Sequence, residues 1–308
     1  MAEMSFEGRV AIVTGAGRGL GREFARLLAA RGARVVVNDL GTSERLTGSD
    51  AGPAHEVARE IMGQGGIAVA DTNSVATPEG GKAIVQSALD AFGRVDIIIH
   101  NAGGTGDLQT TISVLLLGAY NVIGPAWPLM RGQGYGRVLT ITSGDGLYGH
   151  RGRSGEFDRN GYGAAKMGLI GLTRNLANEG AAANVKVNAL APVAYSRLTA
   201  GGEAKFVEWL RTLATPDQVA PVAAWLVHED CPVSGEIITA GGGRVARVFI
   251  AETLGHVQPG LTIEDVRDNW DAICDETNYK VFRDTVEESR QFYFTTREAA
   301  AKSGERQD

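Results

Sequence analysis

The chain has 308 residues, 44% of them hydrophobic and 21% charged, so it holds the material for a sizeable buried core and is not a disordered polymer. Its net charge of −6 argues against nucleic acid as a partner. Its two cysteines, Cys231 and Cys274, without C-x-x-C or paired histidines, argue against a disulfide framework and a metal centre.

In chain order, Met1 to Gly8 carries Glu3 and Glu7 and lacks a basic-then-apolar leader, so no signal peptide is expected. Runs at Arg9–Val13, Ala33–Asn38, Ile67–Ala70, Val95–His100, Arg137–Thr142, Val185–Leu190 and Glu236–Thr239 predict buried strands. Helical patterns fall near 19–32, 52–63, 79–92, 110–131, 160–180 and 216–228. The alternation predicts an α/β fold, a doubly wound parallel sheet between two helical layers, with ligands beyond the strand C-termini. The apolar run Ile112–Trp127, broken by Asn121, Gly124 and Pro125, predicts a buried helix and no membrane span. The alternation stops after Gly243. Residues 1–243 therefore form one domain, and 244–308 a helical, charged extension whose last ten residues are expected to be disordered.

Glycine is the unusual count, 42 residues, about twice the ordinary share of about 7%, with no collagen-like period. The first strand runs into Thr14-Gly15-Ala16-Gly17-Arg18-Gly19-Leu20-Gly21 and then a helix. Such a turn lets backbone N–H groups and a helix N-terminus approach a pyrophosphate, although alone it is also an ordinary strand-to-helix turn. The second strand ends at Asp39, where a carboxylate accepts ribose hydroxyls and repels a 2′-phosphate. NAD is favoured over NADP on this ground; Arg18, beside the turn, pulls the other way or is simply solvated.

The fourth strand ends in His100-Asn101-Ala102-Gly103, the fifth in Thr142-Ser143, and the next helix carries Tyr162 and Lys166. Residues four apart share a helix face, so the ammonium can favour the phenolate. Tyr162 then takes the proton of a substrate alcohol while Ser143 holds its oxygen. By itself Tyr-x-x-x-Lys also describes a surface helix pair. His100 reads as a core residue, and His150 as a loop histidine between Ser143 and Tyr162.

In these ordered motifs the chain resembles the short-chain dehydrogenase/reductase family, over about residues 5 to 243, and within it the (3R)-hydroxyacyl-CoA dehydrogenases, through Val35–Gly41, Ala88–Asp96 and Ala191–Arg197. In the extension, Val266–Trp270 and Ile273–Asp275 join the resemblance. The resemblance implies a Rossmann-type fold and an NAD-dependent oxidoreductase of a secondary alcohol or ketone, on a 3-hydroxyacyl-CoA or hydroxysteroid-like substrate. It implies cofactor contacts at Gly15, Arg18, Gly19, Leu20, Asp39, Ser74, Val75, Asn101, Ala102, Gly103, Tyr162, Lys166, Ala194, Tyr195 and Ser196, with Asn73 beside the adenine. Ser143, Tyr162 and Lys166 are the reacting set. A homodimer or homotetramer is implied, with Gly161, Gly163, Gly168 and Gly171 leaving the Tyr/Lys helix open to close packing. The final Glu-Arg-Gln-Asp carries no peroxisomal address, so a cytoplasmic protein is expected.

Three departures border the substrate pocket. Leu115 stands where the family places a proton-relaying asparagine, so the shuttle runs differently or turnover is slow; the alternative function is an NAD-binding partner subunit with little or no turnover. The stretch Gly104–Val114 is shorter than in the resembling enzymes. The stretch between Ser143 and Tyr162 is longer and basic, with Arg151 and Arg153 placed to meet an anionic substrate or merely solvated.

Overall fold

Valine, isoleucine and alanine dominate the central strands, and both faces of those strands are buried, as a sheet covered by helices on two sides requires. The structure, a computed structural model, describes residues 3–149 and 160–304. His150, Arg151 and Arg153 lie outside the described residues. The strands are β1 Val10–Thr14, β2 Arg34–Asn38, β3 Ile67–Asp71, β4 Ile97–His100, β5 Gly136–Ile141, β6 Val185–Pro192, β7 Ile237–Gly241 and β8 Arg244–Val248. Their order in the sheet is β3-β2-β1-β4-β5-β6-β7-β8, and each recorded pairing from β3 through β7 is parallel. The order reverses between β1 and β4, which makes their C-terminal ends a switch point.

The helices are α1 Gly19–Ala30, α2 Gly52–Gly63, α3 Pro78–Phe92, α4 Leu108–Ile112, α5 Gly118–Gln133, α6 Gly144–Tyr148, α7 Tyr162–Gly180, α8 Ala204–Leu213 and α9 Pro216–Leu226. On β1, Ala11 and Val13 face a core with Phe24, Leu28, Ile61 and Leu226 of α1, α2 and α9. The alternate residues, Val10 and Ile12, face a second core with Ile84, Val122, Met130 and Leu169 of α3, α5 and α7. This is the doubly wound, three-layer α/β/α arrangement that the sequence predicts.

The apolar run is more broken than one helix. Between α4 and α5, Ser113–Leu117 forms a single turn of π-helix. The whole run Leu108–Gln133 is long and apolar enough to cross a membrane by length and composition. One of its sides is sunk in the core, with Leu115, Ala119, Val122, Ala126 and Met130 fully buried.

Three corrections follow. The sheet does not end near Gly243: Gly242 and Gly243, at φ +56° and +77°, turn the chain into β8. A two-residue connection of this kind builds an antiparallel hairpin. β8, Arg-Val-Ala-Arg-Val, mixes charged with apolar residues along an exposed edge, which hides the strand in a search for buried runs. The chain divides into units Met1–Arg247 and Val248–Asp308. The second unit contains an antiparallel pair, β9 Glu252–Thr253 with β10 Tyr279–Lys280, beside α10 Ile263–Asp268, α11 Trp270–Ile273 and α12 Thr285–Gly304. Helix α12 continues through residues read as disordered, because Arg297–Lys302 is a run of strong helix formers. On α7, the glycines are largely matched within the chain itself. A Cβ at Gly168 would stand 2.9 Å from Leu116 Cδ2, and one at Gly163 3.2 Å from the Asp145 carbonyl. Only at Gly171, of the four, does nothing lie within 4 Å.

At the N-terminal edge of the sheet, Asp96 is fully buried. It accepts hydrogen bonds from Val10 N–H at 2.9 Å and from Arg94 Nε and Nη2 at 2.8 and 2.7 Å. Its removal leaves the Val10 amide without a partner between β1 and β4. Asp96→Ala is expected to lower the unfolding free energy by about 3 kcal/mol, measured by urea titration.

Candidate active site

The glycine turn is shaped by contact with its neighbours. Gly15 has φ +63°, and a Cβ there would stand 2.8 Å from Ala102 Cα. A Cβ at Gly21 would collide with the Gly15 carbonyl, so α1 starts tight against the turn. Gly17 N–H donates to Asp39 Oδ2 at 2.8 Å and Gly41 N–H to Asp39 Oδ1 at 2.6 Å. Asp39 therefore stands at the end of β2 beside the turn, each oxygen keeping a further lone pair for a hydroxyl. Gly19 is open, with nothing within 4 Å of a Cβ; Arg18 is exposed and Leu20 half-buried at the start of α1.

The loop after β3 is fixed from below. The Asp71 carboxylate, buried, accepts from Asn38 Nδ2 at 2.7 Å, from Asn73 N–H and Nδ2 at 3.0 and 2.8 Å, and from Ser87 Oγ at 2.6 Å. Ser74 is half-buried and Val75 buried, its carbonyl accepting from Asn121 Nδ2 at 2.9 Å. Ala194, buried, and Tyr195 and Ser196, half-buried, follow β6; the Tyr195 hydroxyl accepts from Arg211 Nη2 at 3.2 Å.

Between these loops stands the loop after β4. Asn101 Nδ2 donates to the Thr14 and Gly15 carbonyls, both at 3.0 Å. Asn101 N–H and Ala102 N–H donate to Thr14 Oγ1 at 3.1 and 3.0 Å. The amide of Asn101 is thus committed to holding the glycine turn, while Gly103 is exposed above it. Thr14 Oγ1 lies 3.4 Å from His100 Nδ1, and His100 Nε2 lies 3.0 Å from the Leu115 carbonyl. With two N–H groups already on its lone pairs, the threonine hydroxyl points its proton at Nδ1. His100 is then neutral with its proton on Nε2, donating to Leu115. Burial, the largest influence, pushes its pKa down to about 4; the Leu115 carbonyl opposes this and Lys166 adds to it. Leu115 lies at the centre of the π-turn, fully buried.

The reacting set lies on the next two elements. Ser143 follows β5 and caps α6, its Oγ accepting from Asp145 N–H at 3.2 Å. α6 packs tightly on α7: a Cβ at Gly146 would stand 2.8 Å from Met167 N. Tyr162 begins α7 and its phenol is hydrogen-bonded by the Ser143 side chain. Lys166, one turn on, is buried and donates from Nζ to the Ile141 carbonyl at 2.6 Å, with Nζ 5.7 Å from the Tyr162 ring centroid. The balance differs from the sequence expectation. Burial raises the Tyr162 pKa above the ordinary phenol value, the Ser143 hydrogen bond pulls it down, and the Asp145 charge raises it further. Burial likewise pushes Lys166 down to about 8. Within the chain alone, desolvation outweighs the lysine, which faces a backbone carbonyl.

Sequence reasoning missed α8, although Gly201-Gly202 marks a turn just before it. With the preceding loop it presents Leu198, Phe206, Trp209 and Leu213, all exposed, beyond the end of β6. Phe206 and Trp209 stack at 5.5 Å. Among the described residues no group of three or more His, Cys, Asp or Glu is arranged to hold a metal ion.

The neutral state of His100 has a pH signature. Its folded pKa of about 4 lies below the unfolded value, so its contribution is complete above about pH 6.5 and is lost as pH falls toward 4. Urea titrations at pH 7 and pH 4.5 are expected to differ by about 3 kcal/mol more for the natural chain than for His100→Asn.

Residues 9–203 match the family described as short chain dehydrogenase. Peroxisomal multifunctional enzyme type 2 of Mus musculus is 40% identical over 290 residues, 89% of this chain; this chain spans only 38% of that enzyme's length. A short-chain type dehydrogenase/reductase of Mycobacterium tuberculosis is 43% identical over 284 residues, covering 89% of this chain and 96% of the relative. A solved 7α-hydroxysteroid dehydrogenase, complexed with NADH and 7-oxo-glycochenodeoxycholic acid, superposes with a TM-score of 0.65 at 28% identity over 78% of this chain and 95% of its own. The chain belongs to the short-chain dehydrogenase family, and its glycine turn, Asn-Ala-Gly loop and Ser/Tyr/Lys set are built on that family's sheet.

Proposed function

We propose that this chain is an NAD-dependent oxidoreductase acting on a secondary alcohol or ketone of a bulky apolar substrate, of the 3-hydroxyacyl-CoA or hydroxysteroid type. The observation that carries this reading is the Ser143–Tyr162 hydrogen bond beside buried Lys166, at the same sheet edge as the glycine turn. The donor set suits a dinucleotide: a cradle where side chains would collide, a helix N-terminus and a carboxylate at the end of β2. Gly15, Gly17, Gly19 and the start of α1 would hold its pyrophosphate, Asp39 its adenosine ribose, and Ser74 and Val75 would flank the adenine. When bound, the nicotinamide supplies the hydride acceptor or donor.

The chain's own residues handle the proton. In the reducing direction Tyr162 gives its hydroxyl proton to the carbonyl oxygen as the carbonyl carbon gains hydride; in the oxidising direction the phenolate takes the alcohol proton. Ser143 donates to the same oxygen and fixes its distance from Tyr162. Lys166, cationic at neutral pH with its value near 8, sits one helical turn from the phenol and would hold a ribose hydroxyl of the dinucleotide. The raised Tyr162 value keeps the phenol protonated at neutral pH, the form that reduction needs. The apolar side chains of α8 favour an apolar substrate, the class that the solved 7α-hydroxysteroid dehydrogenase holds in its own site.

Two measurements test this. Tyr162→Phe is expected to lower kcat by about a thousandfold with a 3-hydroxyacyl-CoA or hydroxysteroid and NAD⁺, followed at the absorbance of reduced nicotinamide. An unchanged rate rules out the proton assignment. Natural enzyme is expected to prefer NAD⁺ over NADP⁺ by about a hundredfold in kcat/KM, and Asp39→Ser to narrow that ratio by about tenfold through loss of repulsion and of ribose hydrogen bonds. Equal use of both by the natural enzyme removes the reading of Asp39.

A further inference from the structure

The segment after β2, Gly41–Asp50, takes a long route to α2. It is ordered by its own bonds: Asp50 N–H donates to the Leu40 carbonyl at 3.0 Å, Ser43 N–H to the Thr47 carbonyl at 2.9 Å, and the Ser43 and Thr47 hydroxyls lie 2.8 Å apart. Its middle then reaches the loop after β4. Thr105 N–H donates to the Glu44 carbonyl at 2.9 Å. A Cβ at Gly104 would stand 2.6 Å from that carbonyl oxygen and 2.8 Å from Leu46 Cδ2. From beyond β6, Arg197 Nη1 donates to the Thr42 carbonyl at 3.3 Å. In the sheet β1 lies between β2 and β4. A connection from the end of β2 to the β4 loop therefore crosses the C-terminal end of β1, above the glycine turn.

The crossing is held under strain. Among the described residues Leu46 and Asn184 are the only non-glycine residues at positive φ, at +62° and +54°. Asparagine tolerates that region; a leucine does not gain from it and keeps it only while surroundings enforce it. Leu46 is half-buried within the otherwise exposed stretch Ser43–Asp50, and what it packs against is Gly104.

Resting on the cofactor reading above, we propose that Gly41–Asp50 is a strap latched by Leu46 across the dinucleotide site, and that its release from Gly104 governs cofactor entry and departure. Two backbone carbonyls and one apolar contact hold it against a strained residue, so the latched and open forms are close in free energy. A dinucleotide lying on the glycine turn beneath it adds contacts to the closed form and retains it.

Two readouts test this with NADH as the probe: its dissociation rate by stopped-flow displacement, and tryptic cleavage after Arg45 in the middle of the strap. NADH is expected to slow cleavage at Arg45 in the natural chain. Gly104→Ala places a methyl against the Glu44 carbonyl and Leu46, and is expected to speed NADH dissociation about tenfold and to abolish the protection at Arg45. Leu46→Ala, which removes the latch side chain while keeping a non-glycine residue at positive φ, is expected to do the same and decides the matter if Gly104→Ala does not fold. NADH that binds but neither protects Arg45 nor leaves faster from the variants overturns the strap alone. A natural chain that binds neither NADH nor NADPH overturns the cofactor reading and the strap together.

Discussion

The hydroxyl of Thr14 is the point on which the site depends. It sits at the last residue of β1 and receives the amides of Asn101 and Ala102, while its own proton turns toward His100. One small side chain thereby joins the glycine turn, the loop after β4 and, through the imidazole, the π-turn at Leu115. Such a chain works in only one direction of donors and acceptors, so it also dictates a neutral histidine. Removing the hydroxyl strands two amides and an imidazole nitrogen together, at a position where Thr14 and His100 are both buried.

Much of the fold was legible because its signals are local. β-branched runs bounded by turns mark β1 to β7, and the glycines of the first turn are required by collisions between adjacent segments. Tyr162, Lys166, Ser143 and Asp39 all stand beyond the strand ends that the sequence indicated. What stayed illegible depends on distant partners. β8 carries two arginines among three small or β-branched apolar residues and so resembles a surface loop. The π-turn is tied to a histidine on another strand, and Gly168 faces Leu116 from a different helix. Helical spacing reports that Lys166 is near Tyr162, but not that its ammonium turns to the Ile141 carbonyl.

Burial and charge compete across the reacting set. Tyr162 and Lys166 are both drawn toward their neutral forms by desolvation, one by holding its proton and the other by releasing it. A chain that keeps both groups buried holds a site whose charge state is poised to respond when a charged or polar ligand arrives. The tight seat of α6 on α7 holds the start of α6, which Ser143 caps, close to the phenol of Tyr162.

The hairpin at Gly242 and Gly243 has a consequence for how molecules meet one another in solution. A parallel sheet ending at β7 would offer a row of bare amides and carbonyls to any other chain. β8 covers that row, and on the new rim Arg244 is exposed while Arg247 reaches back to Glu236 at 2.6 Å. Guanidinium groups on an edge strand oppose the stacking of like edges, because two such rims bring the same charge together. A short last strand with the exposed Arg244 guanidinium thus makes that rim a poor template for pairing with a like edge, at the end of the sheet farthest from the loops that carry the adenine side of the site.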